Sequence, residues 1–198
     1  MQEQVRRRRS RRGEGGRLRE EILEAAQRIL AEGTDPGDLS LRAVARAVGV
    51  ATTSIYPHFS SLGELIHTVR KRFFADFGAV LDRAAASVQG TAADVVLARA
   101  RAYVAYGLAH GGQYRTMFSA AEVPDYQSYD TEMAGLSVYR VVRDDVAAAL
   151  DGTVDADLAA TQLWTSLHGI VTLRAVRPDF PWPDLNDQID DLVHRLLS

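Results

Sequence analysis

Apolar side chains recur at Leu18, Ile22, Leu23, Ala26, Ile29 and Leu30, which is one face of an amphipathic helix, and the run Gly33-Thr34-Asp35-Pro36-Gly37 ends it. Ser40 stands where an N-cap belongs, ahead of Leu41, Val44, Ala45 and Val48, the apolar positions of a second, short helix. Gly49 interrupts that helix. Ile55 and Phe59 carry the apolar pattern into a third short segment, closed by Ser60 and Ser61. Beyond it the spacing is helical almost to the end and predicts helices over 62–87, 91–109, 113–121, 127–150, 155–176 and 184–197. Pro124, Pro178, Pro181 and Pro183 all fall between these segments, as the missing amide requires. No run alternates apolar and polar residues with β-branched enrichment, and no repeat of solenoid or propeller length is present. The expected fold class is all-α.

Composition narrows the possibilities. The chain has 198 residues, 46% hydrophobic and 25% charged, ordinary values for a globular protein able to bury a core. It has no cysteine, which excludes a disulfide scaffold, thiolate zinc sites and a thiol redox sensor. The apolar, uncharged stretch from Leu158 to Leu173 contains Gln162, His168 and Gly169 and is too polar to span a bilayer. No apolar region follows the arginine-rich start, so a secretory signal is not expected, and the expected location is the cytoplasm. Catalysis finds no support. The five histidines (58, 67, 110, 168, 194) are scattered without metal-ligand spacing, and no G-x-S-x-G or phosphate-binding glycine loop occurs. Asp144–Asp145 and Asp190–Asp191 are sequence neighbours, so each pair diverges on a helix. Neither a metal nor a cofactor is expected.

The net charge of −3 hides a split. Residues 1–19 carry eight arginines against Glu3 and Glu14, a net of +6. The other 179 residues carry 15 basic and 24 acidic side chains, a net of −9. Arg6, Arg7, Arg8, Arg9, Arg11 and Arg12, interspersed with glycines further on, make residues 1–16 a candidate disordered basic arm that binds nucleic acid or another acidic partner. A solvated tail would have the same composition.

Residues 41–59 read as helix, tight turn, helix. Leu41, Val44, Ala45, Val48, Val50 and Ile55 would pack the two helices together, with Gly49 free to take a left-handed turn. Thr52, Thr53, Tyr56 and His58 are left facing outward. No Asp or Glu occurs between Asp38 and Glu64. A polar surface free of acids is what contact with phosphate requires. An ordinary helical hairpin with exposed hydroxyls would also fit.

The stretch VGVATTSIYPHFSSLGELI resembles the signature of the TetR (tetracycline-repressor-like) transcriptional regulators, with Gly49, Ile55, Tyr56, His58, Phe59, Glu64 and Leu65 at its hallmark positions. Downstream, HGGQYRTMF at 110–118 and LWTSLHGIV at 163–171 resemble the C-terminal domain of the subgroup named for its Trp-His-Gly motif, here Trp164, His168 and Gly169. The resemblance implies an N-terminal three-helix helix-turn-helix DNA-binding domain over 17–61 and a larger helical ligand-binding and dimerisation domain over 62–198. It also implies roles. Ser40 and Arg42 would meet the phosphate backbone, Thr52 and Thr53 would face base edges, and Tyr56 and His58 would donate to phosphates. Three positions depart from the family pattern. Leu62 replaces a lysine that commonly holds a phosphate, Ala51 replaces a frequent serine, and Pro57 ends the recognition helix near Tyr56. The arm arginines would make up affinity, since such arms reach the minor groove.

The segments at 155–176 and 184–197 have the look of a dimerisation unit. The first is apolar or small almost all round, and the second places Leu185, Ile189, Leu192, Val193, Leu196 and Leu197 on one stripe. Both would equally serve a monomer's own core; the resemblance favours a homodimer reading an inverted repeat. It also implies a small-molecule pocket in the body, with Phe77, Tyr103, Tyr106, Met117, Phe118, Trp164 and His168 as candidate liners, although aromatic residues at helical spacing commonly form plain core. The expected function is a ligand-responsive regulator, usually a repressor, of a double-stranded operator, released by a small-molecule effector. The competing reading is a helical interaction module whose basic arm binds nucleic acid or an acidic partner without operator specificity.

Overall fold

The computed structural model describes residues 14–119, 135–150, 152 and 155–198. Among them the elements are α1 (Glu14–Ala31), α2 (Leu41–Val48), α3 (Leu62–Ala86), α4 (Ala92–Ala109), α5 (Gly111–Phe118), α6 (Leu136–Ala149), α7 (Ala156–Val176) and α8 (Leu185–Leu196), with 3-10 turns at Pro36–Asp38 and Thr52–Ser54 and no strand. The chain is all-α. Arg6 to Arg12, Pro124, positions 120–121 of the expected 113–121 helix and 127–134 of the expected 127–150 helix lie outside the described residues.

Helix ends follow local chemistry. The Ser40 hydroxyl oxygen accepts from the Ala43 amide at 3.2 Å, as expected of an N-cap. Thr91 and Asp94 form a reciprocal capping box at the start of α4, and Asp184 caps α8 through the amides of Asn186 and Asp187. α1 corrects one expectation: Glu14, Gly15 and Gly16, read in sequence as part of the arm, are helical. Once a helix is nucleated, adding a residue costs little, so the helix extends through weak formers.

The described residues pack as two compact units. The first holds α1, α2, the Thr52–Ser54 turn, α3 through Phe73, and α5 from Gly112. Its core includes Ile22, Leu23, Leu30, Val44, Ile55, Phe59 and Leu65, all fully buried. The second holds α3 from Phe74, with α4, α6, α7 and α8. There Phe77, Leu81, Val104, Leu163 and Ile189 are buried, and so is Arg99, which donates to Asp82 at 2.7 Å and to Asp145 and thereby ties α4 to α3 and α6. Arg101 of α4 reaches Asp190 of α8 at 2.6 Å.

This division differs from the expected break at residue 61. α5, assigned from sequence to the C-terminal domain, packs with the helix-turn-helix. The reason is a set of specific attachments. A Cβ on Gly112 would run into the carbonyl of Ala31, so only glycine lets α5 lie this close to the end of α1. Arg115 donates to the Gly33 carbonyl at 3.2 Å. Arg70 of α3 donates to the carbonyls of Thr116 and Ser119, each at 3.0 Å, satisfying the open C-terminal end of α5.

Candidate nucleic-acid interface and effector body

The candidate DNA-facing surface is built on α2 and the turn after it. Gly49 takes φ +80°, a left-handed conformation that penalises side chains, and its amide donates to Ala45 and Arg46 carbonyls at 2.9 and 3.2 Å. The chain then makes a single 3-10 turn at Thr52–Ser54, with Ser54 and Ile55 amides donating to Ala51 and Thr52 carbonyls. His58 and Phe59 amides both donate to the Ile55 carbonyl, at 2.8 and 3.0 Å. A short helix was expected here; the structure has a tight turn instead. Pro57 lacks the amide that would continue the ladder and disfavours helix at Tyr56. Ile55 and Phe59, both fully buried, anchor the turn from beneath.

Tyr56 is 55% exposed, Thr53 and Arg42 are exposed, and Thr52 and His58 are half-buried. Ser40 uses its oxygen lone pair as a cap, which leaves its hydroxyl proton free to donate. The nearest downstream acid, Glu64, has a carboxylate oxygen occupied by the Ser60 amide at 2.7 Å and hydroxyl at 2.8 Å, and its own amide donates to Ser61. That carboxylate completes the cap of α3.

Two residues were not singled out from sequence. Arg46 is exposed one helical turn from Arg42 on α2, and its signal was the i, i+4 spacing inside the acid-free stretch. Arg19 of α1 lies over the Phe59 ring, 4.6 Å from its centroid, a pairing no local pattern announces. At the next position of α1, Glu20 forms a two-pronged pair with Arg72 of α3, one prong at 2.7 Å, and this holds the Glu20 carboxyl below its usual range.

The expected pocket residues divide between the units. In the second, Phe77 meets Tyr103 edge-on at 5.0 Å and Tyr106 at 5.1 Å, and Tyr106 packs on His110 at 4.6 Å. Burial, with Asp76 nearby, pushes the Tyr106 hydroxyl up to about 12, so it stays protonated and able to donate. Met117 and Phe118 belong to the first unit, where Phe118 packs on Tyr114 at 4.8 Å. Trp164 is 40% exposed and lies edge-on to Tyr139 at 6.0 Å. Gly169 has nothing of its own chain within 4 Å of where a Cβ would sit.

His168 is half-buried, and burial holds its imidazole below the ordinary 6.5. Its folded value lies under its unfolded value, so the unfolded chain takes up a proton first as pH falls. The stabilising contribution is therefore full above about 6.5 and lost as pH drops below it. Urea midpoints measured downward from neutral pH should fall in this window, and His168→Gln should flatten that fall. A profile unchanged by the substitution would contradict the assignment.

A left-handed glycine turn between two short packed segments, presenting a polar, acid-free face, is a helix-turn-helix DNA-binding arrangement. Comparison with known proteins agrees. Residues 22–69 match the family described as bacterial regulatory proteins, tetR family, and residues 96–198 match the tetracyclin repressor-like C-terminal domain. An uncharacterized HTH-type transcriptional regulator of Mycobacterium tuberculosis is 36% identical over 187 residues, covering 91% of this chain and 80% of that one. A solved protein of unknown function from Rhodococcus sp. RHA1 is 28% identical with a TM-score of 0.72, covering 98% and 95% of the two chains. FadR of Bacillus subtilis, solved in complex with stearoyl-CoA, shares the fold with a TM-score of 0.68 at 14% identity, over 90% of this chain and 97% of that one. The chain belongs to the TetR family of DNA-binding transcriptional regulators, and is a transcription factor rather than an enzyme. No helix among the described residues is long and apolar enough to cross a membrane.

Proposed function

We propose that the protein is a repressor that binds a palindromic operator as a homodimer in the cytoplasm and is released by a small-molecule effector. The observation that carries the DNA contact is the acid-free turn itself. Thr52 and Thr53 address base edges, while Ser40, Arg42, Tyr56 and His58 hold phosphates. Tyr56 tests this most cleanly, because it is exposed and its removal leaves the core intact. Tyr56→Ala should lower operator affinity by roughly 10-fold, the worth of one good phosphate contact, with no change in melting temperature. Equal affinity in both proteins, measured by fluorescence anisotropy, would remove Tyr56 from the interface.

The dimer reading rests on α7. Leu158, Gln162, Thr165, Gly169, Leu173 and Val176 follow one another at steps of three and four and so share a face. Leu158 and Leu173 are each 55% exposed and Val176 is 70% exposed, unusual for a helix of apolar and small residues. The apolar stripe of α8 is used differently. Ile189 and Val193 are buried in the chain's own core, and Asn186, Asp187, Asp191, His194 and Arg195 face solvent, which leaves α7 as the chief contact with a second copy.

The effector is proposed to sit against Phe77, Tyr103 and Tyr106 with His168 as a polar tip, Trp164 being left to the surface. An effector that binds better to the arrangement unfit for the operator releases DNA, and linkage requires DNA to weaken effector binding equally. α5 follows α4 across the non-helical His110 and is held to α1 and α3 through Gly112, Arg115 and Arg70.

A further inference from the structure

We propose that Arg19 of α1 is a phosphate-binding residue of the DNA interface, held ready for that contact by the ring of Phe59. This rests on the reading of the Tyr56–His58 turn as a DNA-facing edge, and it adds to that edge a cation from a different helix.

The Arg19 guanidinium carbon lies 4.6 Å from the centroid of the Phe59 ring. That ring is fully buried, although Tyr56, Pro57 and Ser60 around it in the chain are exposed and His58 is half-buried. Arg19 is itself half-buried. The guanidinium therefore forms part of the lid over Phe59, at the outer edge of the turn that carries Tyr56 and His58.

Its donors are not spent inside the protein. Other arginines of α1 and α3 are committed: Arg17 pairs with Glu21 at 3.3 Å, Arg70 donates to the carbonyls of Thr116 and Ser119, and Arg72 spans both carboxylate oxygens of Glu20. Among the described residues, Arg19 donates to no carboxylate or carbonyl, and its contact is the ring alone. The acid next to it in sequence, Glu20, is hydrogen-bonded to Arg72, and Glu64 at the start of α3 accepts from the amide and hydroxyl of Ser60.

Stacking leaves that hydrogen-bonding capacity intact. A guanidinium over an aromatic ring meets it with its face, while its N–H donors lie in its own plane and point outward along the edges. A phosphate oxygen can accept from Arg19 without displacing it from Phe59. The stack also restrains the side chain before DNA arrives, so less freedom is lost for each hydrogen bond formed. His58 precedes Phe59 in the chain, about 3.8 Å away between Cα atoms, and the phosphates of one strand follow one another at ~3.4 Å of helix axis. A strand that meets His58 thus carries its neighbouring phosphates past Arg19.

The test compares the full chain with Arg19→Met and Arg19→Lys, by anisotropy titration at several salt concentrations, on DNA flanking the protein's own gene and on a scrambled duplex. Methionine keeps a polarizable, apolar lid on Phe59 without charge or donors, and lysine restores the charge. Arg19→Met should bind both duplexes about 10-fold more weakly, with a salt slope shallower by about 1, and should keep the melting temperature of the unaltered chain. Arg19→Lys should keep the unaltered slope. A slope unchanged in Arg19→Met would mean that Arg19 only shields Phe59, whether or not affinity or melting temperature falls, and would overturn the proposal. A slope lost as fully with lysine as with methionine would overturn it too. Equal binding of the unaltered chain to both duplexes would overturn the operator reading instead, and because a phosphate contact is indifferent to sequence, the slope difference decides the role of Arg19 on either duplex.

Discussion

Gly169→Arg is expected to leave a folded monomer whose operator affinity is lower by about 100-fold or more. Gly169 lies in the middle of α7, where an added Cβ meets nothing of its own chain. Replacing glycine within a helix also gains about 1 kcal/mol of helix propensity, so the isolated chain has no reason to unfold. Between two copies of α7 the same side chain would bring bulk and like charge into the centre of the Leu158–Val176 face. The affinity loss follows from avidity. When two half-sites are held by one dimer, the second contact forms at high effective concentration, worth about 10²- to 10⁴-fold. Sedimentation equilibrium and anisotropy titration check both halves of the expectation. A variant that stays dimeric would take α7 out of the interface.

Phe59→Ala is expected to destabilise the first unit by about 3–5 kcal/mol, the usual cost of removing a buried aromatic ring. For a protein of this size that corresponds to a melting temperature lower by about 10 °C. The ring is fully buried beneath the turn, and Arg19 stacks on it. Because the core of the first unit is its own, the loss should appear as an early transition in the melt, with α4 and α6–α8 surviving it. DNA binding would fail with that transition. This separates Phe59 from Tyr56, whose loss should cost affinity and leave the melt unchanged. A Phe59→Ala melt that overlays the parent would contradict the packing described here.

Much of this was legible in the residues. Helix after helix announced itself through apolar spacing, with Ser40 and Gly49 marking a start and a stop by chemistry that acts within a few residues. The surface at Arg42, Thr53 and Tyr56 was legible for the same reason: the absence of acids is visible without knowing any contact. The rest depended on contacts between distant segments. That α5 joins the first unit turns on Gly112 meeting Ala31 and on Arg70 reaching Thr116, pairs separated by dozens of residues. Nothing local distinguishes Gly112, which must be glycine, from Gly111, which has open space around it. The exposure of Trp164 was not legible either, because an aromatic residue on an apolar helix looks alike whether it is buried or exposed. The segment after Gly49 was expected to be a helix and is a tight turn, because the effect of Pro57 reaches back along the ladder as well as forward.

The central claim is that this helix-turn-helix reads a particular DNA sequence as a pair. Anisotropy titration of the full chain against DNA flanking its own gene, beside a scrambled duplex and at several salt concentrations, tests it most directly. The account predicts tight binding to the natural duplex only, saturating at two protomers per site. Weak binding, equal on both duplexes and falling steeply with salt, would contradict it and leave only the charge of the arginine-rich stretch at work.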